Sequence, residues 1–491
     1  MSIPIYLGID ETAHAVKAAA VVRGQLQTAS VREPGPFGLS IPQTSVQVPE
    51  AYLELREIAV CWNAQVASEV DPLPGTEEPD ERCVPPASSG ATVTGTTYVG
   101  AYPPTYYGFV GWPSLVLPPT TAFYAMRILS GLLSAAFLAS ALSSAATLRG
   151  SQLLGPATAL GVTPLVLHLS AAVNPNGLEV ATACAAFTSM LALLSIRTTV
   201  PRRLLVRTAL AVIMLASIRT LGPLFAVVTV ITPVIVAGGW RPVTRLWADH
   251  AVRLATTVVV LCLTVAAGFT LVVGTAVIDA PSATERSSAS LALDFLKSFP
   301  SLQIDTVGRT GPITFQDAEV RTVATAWVGA VAVLAGVAMV VGRGRDRAAM
   351  LFLIAAAAVL PVVAQLASEE PIPWFGRYTL AIIVGVPIVG AWVVGRSYKP
   401  LAPALMAAGS ILAVGCGAAH FITIERQIRL MAEVGAGLPY FGPMSPQVLL
   451  VAGFGATCGY AALFVALALG RLRIEPALVG EDDAPTAPWE R

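Results

Sequence analysis

The length and number of its apolar runs decide what this chain can fold into. Ten stretches of roughly 18 or more apolar residues occur, at about 124–147, 153–171, 177–196, 220–239, 254–278, 324–342, 348–367, 376–395, 401–421 and 447–470. Each is long enough to carry a helix across a ~30 Å hydrocarbon layer. A shorter run at about 205–218 makes an eleventh candidate. Only 12% of the 491 residues are charged, against about a quarter in soluble domains. Inside a bilayer every backbone polar group needs a partner within the protein, which leaves helices as the natural spanning element for such runs. The expected class is an all-α polytopic membrane protein. Equal numbers of basic and acidic residues, 30 each, exclude the strongly basic surface of a nucleic-acid binder.

Arginines collect in alternate connections: Arg149; Arg197, Arg202, Arg203 and Arg207; Arg241, Arg245 and Arg253; Arg343, Arg345 and Arg347; Arg396 with Lys399; Arg471 and Arg473. The positive-inside rule assigns these to the cytoplasm, and the alternation is unbroken only if 205–218 spans. The expected organisation is then an extracytoplasmic first loop over 1–123, a first part of the bundle over 124–278, and a second outer loop over 279–323. A second part of the bundle covers 324–470 and a cytoplasmic tail 471–491. Loop 1–123 needs a way across the membrane, yet "MSIPIYLG" has neither the basic nor the apolar region of a signal peptide. The expectation is that "IPIYLG" ends a first transmembrane helix encoded ahead of Met1, which gives about 11–12 spans.

Within the first loop, "DETAHAVKAAAVVRGQ" reads as a helix capped by Asp10, with Ala15, Ala18, Ala19 and Val22 on one face, lying along the membrane surface. The β-prone, turn-rich segments that follow predict a small mixed domain over the membrane mouth. Cys61 and Cys83 share this loop and form a candidate disulfide. In the second loop "ASLALDFLKSFP" predicts another interfacial helix.

An ionisable group within hydrocarbon costs about 2.5–3.5 kcal/mol even on a lenient scale, so charges near the spans carry information. Arg127, Arg219, Arg377 and Glu179 all fall at outer helix ends, on the side that holds Asp10, Glu11 and His14. Arginines facing carboxylates suit a reaction on an anionic lipid, since guanidinium grips phosphate in a bidentate manner while a carboxylate deprotonates a hydroxyl. The structural alternatives are an Arg127 that snorkels, a Glu179 that pairs with an arginine, an Asp10 that caps its helix and a His14 that bonds Asp10. No P-loop, dinucleotide fingerprint, HExxH or GxSxG is present, and four scattered histidines (His14, His168, His250, His420) make a multi-histidine metal site improbable.

The segments "DETAH...VRG", "YPPTYYGFVGWPS", "NPNGLEVA", "SIRTLGP" and "FGRYTLAIIVGVPI", over nearly the whole chain, resemble domain-of-unknown-function family 2142, bacterial multipass proteins related to the GT-C glycosyltransferases. Thr12 stands where that family's DEPAH motif has proline. The resemblance implies a GT-C-like bundle and transfer of a sugar from a polyprenyl-phosphate donor to a cell-envelope glycan or lipid, outside the cytoplasmic membrane. It implies Asp10 as general base with Glu11 as its partner or an acceptor ligand, and His14 in the same motif. Arg377, Arg219 and Arg127 would hold the donor phosphate, with Tyr106, Tyr107, Tyr378, Asn174 and Glu179 around the substrate. No cofactor beyond the lipid-linked donor is implied, and a divalent metal is left open. The competing functions are a transporter, which would need polar or broken helices near the midplane, and a non-catalytic scaffold of envelope assembly.

Overall fold

The computed structural model describes residues 8–26, 30–34, 40–54, 91–148, 151–197, 199–273, 288–308, 318–366, 374–397, 402–434 and 446–471. The Cys61–Cys83 pair lies outside them.

After Asp10 the chain enters α1 (Glu11–Val21). Three strands follow, β1 (Ser30–Pro34), β2 (Ser40–Pro49) and β3 (Thr92–Thr97), and they form one antiparallel sheet in that order. Ser30 pairs with Thr44, and Val46 with Gly95. A short α2 (Thr105–Gly111) and a 3₁₀ turn at Trp112–Leu115 lead into the first long helix, α3 (Pro119–Ala145).

The apolar runs then become helices close to the expected bounds. These are α4 (Ser151–Gly161), α5 (Pro164–Ala171), α6 (Pro175–Ser195), α7 (Arg202–Ile218), α8 (Gly222–Ala237), α9 (Trp240–Leu246) and α10 (His250–Val273). The second half holds α11 (Ser288–Gly308), α12 (Ala318–Val341), α13 (Gly344–Leu366), α14 (Leu380–Ile383), α15 (Gly385–Ser397), α16 (Ala402–Val434) and α17 (Pro446–Ala468). Among the described residues eight helices are long and apolar enough to cross a membrane, or up to ten if each of two bent pairs counts as one span. The protein is a helical polytopic membrane protein.

Helix α6 is the axis of this bundle. It runs "PNGLEVATACAAFTSMLALLS" with almost every residue buried, and its alanines, serines and threonines let α3, α7 and α8 approach closely. Helices α10 and α17 instead expose apolar side chains such as Leu261, Leu271 and Val451, the faces that meet lipid. Helices α4 and α5 form a single apolar run broken by 64°. The break follows from Pro164 in the first turn of α5, with Thr163 capping Val166 N at 3.4 Å. Carbonyls beside the break accept bonds from other helices: Trp327 Nε1 donates to Leu160 O at 2.8 Å, and the Tyr460 hydroxyl to Ala159 O at 3.3 Å, which also accepts from Val162 N at 3.1 Å.

Two sequence expectations need correction. Helix α1 is not laid along a membrane surface: from Ala13 to Val21 every residue is buried, Lys17 included. Protein encloses it, because Thr97 Oγ1 donates to Ala13 O, Lys17 Nζ to Gly100 O at 2.7 Å, and Arg23 grips Ser114 through two nitrogens. The small side chains read as a surface face are what allow β2, β3 and α2 to close around the helix. In the second loop α11 extends well beyond the expected interfacial segment and packs against α13, α12 and α5.

Candidate active site at the mouth of the bundle

Asp10 precedes α1 in the left-handed backbone region, with φ of 56°, the one non-glycine residue with positive φ among those described. That conformation is disfavoured for a residue with a Cβ. Asp10 does hold the N-cap position expected of it, but its side chain makes no capping bond. Its carboxylate instead accepts from Arg377 Nη2 at 3.0 Å on Oδ2 and from the Tyr98 hydroxyl at 2.8 Å on Oδ1. About 30% of the Asp10 side chain is exposed, against 9% for Arg377.

Arg377 reaches this position from a 3₁₀ turn, Gly376–Tyr378, just before α14. Gly376 is needed there because a Cβ would come within 2.4 Å of Leu302 O, on α11. The guanidinium lies over the rings of Phe375 and Tyr378, at 4.3 and 4.9 Å from their centroids. Arg219, in the extended break between α7 and α8, approaches the same Tyr378 ring at 5.0 Å and the Tyr102 ring at 5.4 Å. Two cations thus share one tyrosine, an arrangement in which ring faces partly replace lost hydration. Arg219 also donates to Asn176 Oδ1 at 2.6 Å, Glu179 Oε2 at 3.1 Å and the Tyr102 hydroxyl at 3.4 Å. The Nε atoms of both arginines are buried without a hydrogen-bond partner. Burial pushes the Tyr378 hydroxyl up to about 12, and burial with the Asp10 charge pushes Tyr98 well up, so both stay protonated donors.

The other expected site residues turn inward. Glu11 is a structural carboxylate: it accepts from Arg127 Nε at 2.7 Å and Nη2 at 2.5 Å, from Val173 N at 2.8 Å and from Gly8 N at 3.2 Å. These contacts fill its acceptor positions. Arg127 is correspondingly spent, neither snorkelling nor available to a donor phosphate, with its guanidinium over Phe123. His14 does not bond Asp10. Its Nδ1 meets the Tyr107 hydroxyl at 2.8 Å, and burial holds the ring down at about 3, so it is neutral near pH 7. Tyr106 and Tyr107 are fully buried, the former bonded to Ser130 Oγ at 2.9 Å. Neither reaches the surface of the mouth. Asn174 caps α6 by accepting from Asn176 N at 2.9 Å and donates to Ile9 O at 2.8 Å, which fixes the segment that presents Asp10. Glu179 pairs with Arg219, the structural alternative. Among the described residues, no three His, Cys, Asp or Glu side chains gather in a way that could hold a metal ion.

The constellation at the mouth is therefore Asp10, Tyr98, Tyr102 and Tyr378, which are partly or fully exposed, with Arg377 and Arg219 buried against them. Tyr98 and Tyr102 were missed; "TTYVGAY" gave only a β-prone signal, although its position between the β3 strand and the YPP segment marks it as the sheet's return to the mouth.

No match is found among curated proteins. Among solved structures, the crystal structure of ArnT from Cupriavidus metallidurans in the apo state is 12% identical, covering 96% of this chain and 75% of that one at a TM-score of 0.39. So loose a superposition carries no weight below. The family model described as "Predicted membrane protein (DUF2142)" matches residues 1–386, short of the nearly complete coverage the motifs implied. The matched part includes α1, the sheet, α6 and both arginines of the mouth, and the chain belongs to the DUF2142 family of membrane proteins.

Proposed function

We propose that the chain is a GT-C-type glycosyltransferase that moves a sugar from a polyprenyl-phosphate donor to a cell-envelope glycan or lipid, on the outer side of the cytoplasmic membrane. The arginine-rich connections and the C-terminus would face the cytoplasm, as the positive-inside rule expects. The observation that carries this reading is the Asp10–Arg377 pair, a strained, part-exposed carboxylate held by an arginine 367 positions away at 3.0 Å. Strain in a carboxylate without a capping role is typical of a functional position.

In this reading Asp10 is the general base. Tyr98 and Arg377 each occupy one side of its carboxylate, and a carboxylate oxygen has lone pairs for a further donor, here the acceptor hydroxyl. That hydroxyl's oxygen attacks the anomeric carbon while its proton passes to Asp10. The bond from the anomeric carbon to the phosphate oxygen breaks, and its electron pair leaves with the polyprenyl phosphate. Attack opposite the departing group inverts the centre. Arg377 and Arg219, with unused Nε donors, would receive the growing phosphate charge. The faces of Tyr98, Tyr102 and Tyr378 offer platforms for a sugar ring. The broken α4–α5 helix is what a transporter would want, yet its carbonyls at Ala159 and Leu160 already accept bonds from Tyr460 and Trp327, which weakens that alternative.

The test uses membranes from cells expressing wild type or Asp10→Asn, given radiolabelled polyprenyl-phosphate sugars and scored for label in envelope material. A loss of about 10²–10⁴-fold at equal protein level is expected for a missing general base. Equal transfer would remove Asp10 from catalysis, and no transfer by either protein with any donor would favour a transporter or scaffold.

A further inference from the structure

At the far end of α6 the sequence builds a second polar feature. Two consecutive left-handed glycines, Gly238 at φ 101° and Gly239 at φ 84°, end α8 and turn the chain by 103° into α9. The left-handed region suits glycine and penalises other residues, so the turn is built into the sequence. The short α9 thus lies across the bundle end instead of continuing the span. It is pinned there: Arg245 Nη2 donates to Ile196 O at 2.6 Å and Leu194 O at 3.4 Å, the terminal carbonyls of α6, while Leu246 is buried beneath. Asp249 caps the start of α10 through Ala251 N at 2.8 Å and meets Arg202 at 3.1 Å, which brings the start of α7 alongside.

The outer face of this elbow is aromatic and cationic. Trp240 is 73% exposed and Trp247 47%, seven residues apart and so nearly two helical turns along one side. Arg197, Arg202, Arg203, Arg241 and Arg253 are exposed around them. Between residues 180 and 278 the sequence holds a single carboxylate, Asp249. The feature is separate from the mouth. Asn176 and Glu179 stand at one end of α6 and Ile196 at the other, which over 21 residues is about 30 Å, the thickness of the hydrocarbon layer.

We infer that this elbow is a binding site for anionic phospholipid headgroups of the leaflet opposite the mouth. Exposed tryptophans on a helix lying across the bundle end settle at headgroup depth. Arg202 is paired with Asp249, and the exposed Arg197, Arg203, Arg241 and Arg253 are placed to grip lipid phosphate. Their excess over Asp249 supplies the charge complementarity that a zwitterionic surface would not satisfy. The inference does not depend on the reaction at the mouth.

The experiment titrates the full-length protein in neutral detergent with phosphatidylglycerol, phosphatidylcholine or glycerol phosphate, following its thermal unfolding midpoint. The test variant is the combination of Arg203→Gln, Arg241→Gln and Arg253→Gln, whose side chains hold no other part of the structure. Phosphatidylglycerol should raise the wild-type midpoint at concentrations where phosphatidylcholine does not. The half-saturating concentration should rise about fivefold for each arginine removed. Native mass spectrometry should show phosphatidylglycerol retained by wild type and lost from the variant. An equal response to both lipids, or one unchanged in the variant, would overturn the site. An equal response to glycerol phosphate would overturn its lipid nature.

Discussion

Asp10 and Glu11 are adjacent, differ by one methylene, and each meets an arginine, yet they do opposite things. Glu11 lies within the protein with Arg127 paired to both its oxygens and two backbone amides completing the shell. Asp10, one residue earlier, sits at the surface of the mouth with a strained backbone, one arginine and one tyrosine. A sealed ion pair holds a fold together because neither partner can be left alone in a low dielectric. The Asp10–Arg377 pair is half-open, its carboxylate 30% exposed and its guanidinium 9%, and the carboxylate keeps lone pairs for a further donor. Environment, not residue type, has made one carboxylate of the acidic motif a sealed brace and left the other open to the mouth.

Replacing Arg127 with Met should produce the largest effect. It leaves the Glu11 carboxylate buried and uncompensated, at about 3–5 kcal/mol, read as a large loss of thermal stability in detergent. A change below about 1 kcal/mol would break the comparison from the sealed side. His14, also on that side, gives a pH signature. Its folded value is held at about 3 and its ordinary value is 6.5. The unfolded chain therefore binds the proton first, so the contribution to stability is full above pH 6.5 and is lost as pH falls from 6.5 towards 3. Wild type should lose stability across that window more steeply than His14→Gln, by on the order of a few kcal/mol at the acid end. Parallel curves would place His14 in contact with water.

On the open side, Tyr98→Phe should leave folding nearly intact and, under the proposed reaction, lower transfer by removing the hydroxyl that orients the Asp10 carboxylate. Unchanged transfer would mean that Tyr98 does not position Asp10.

Much of the bundle was legible because hydrophobic length and periodicity survive in any one sequence: the described helices follow the apolar runs, although the single run expected over 153–171 is bent by 64° between α4 and α5. The side of the molecule on which Asp10, Arg219 and Arg377 gather was also legible, from helix ends alone. Which arginine meets which carboxylate was not. The pairs Glu11–Arg127 and Asp10–Arg377 close over 116 and 367 positions, and no local pattern distinguishes them. The alanine-rich α1 was misread for a related reason. Small residues suit a surface helix poorly and a tightly enclosed one well, but the strands that enclose it lie far along the chain.

The most direct measurement compares thermal unfolding of the purified full-length Asp10→Asn and Glu11→Gln proteins, each a single exchange of carboxylate for amide. The division into a sealed and an open carboxylate predicts that Glu11→Gln loses about 3–5 kcal/mol, since both members of its pair are buried, and that Asp10→Asn loses clearly less, since the Asp10 side chain is 30% exposed and Arg377 keeps the rings of Phe375 and Tyr378. Comparable losses in both, or the larger loss in Asp10→Asn, would contradict it.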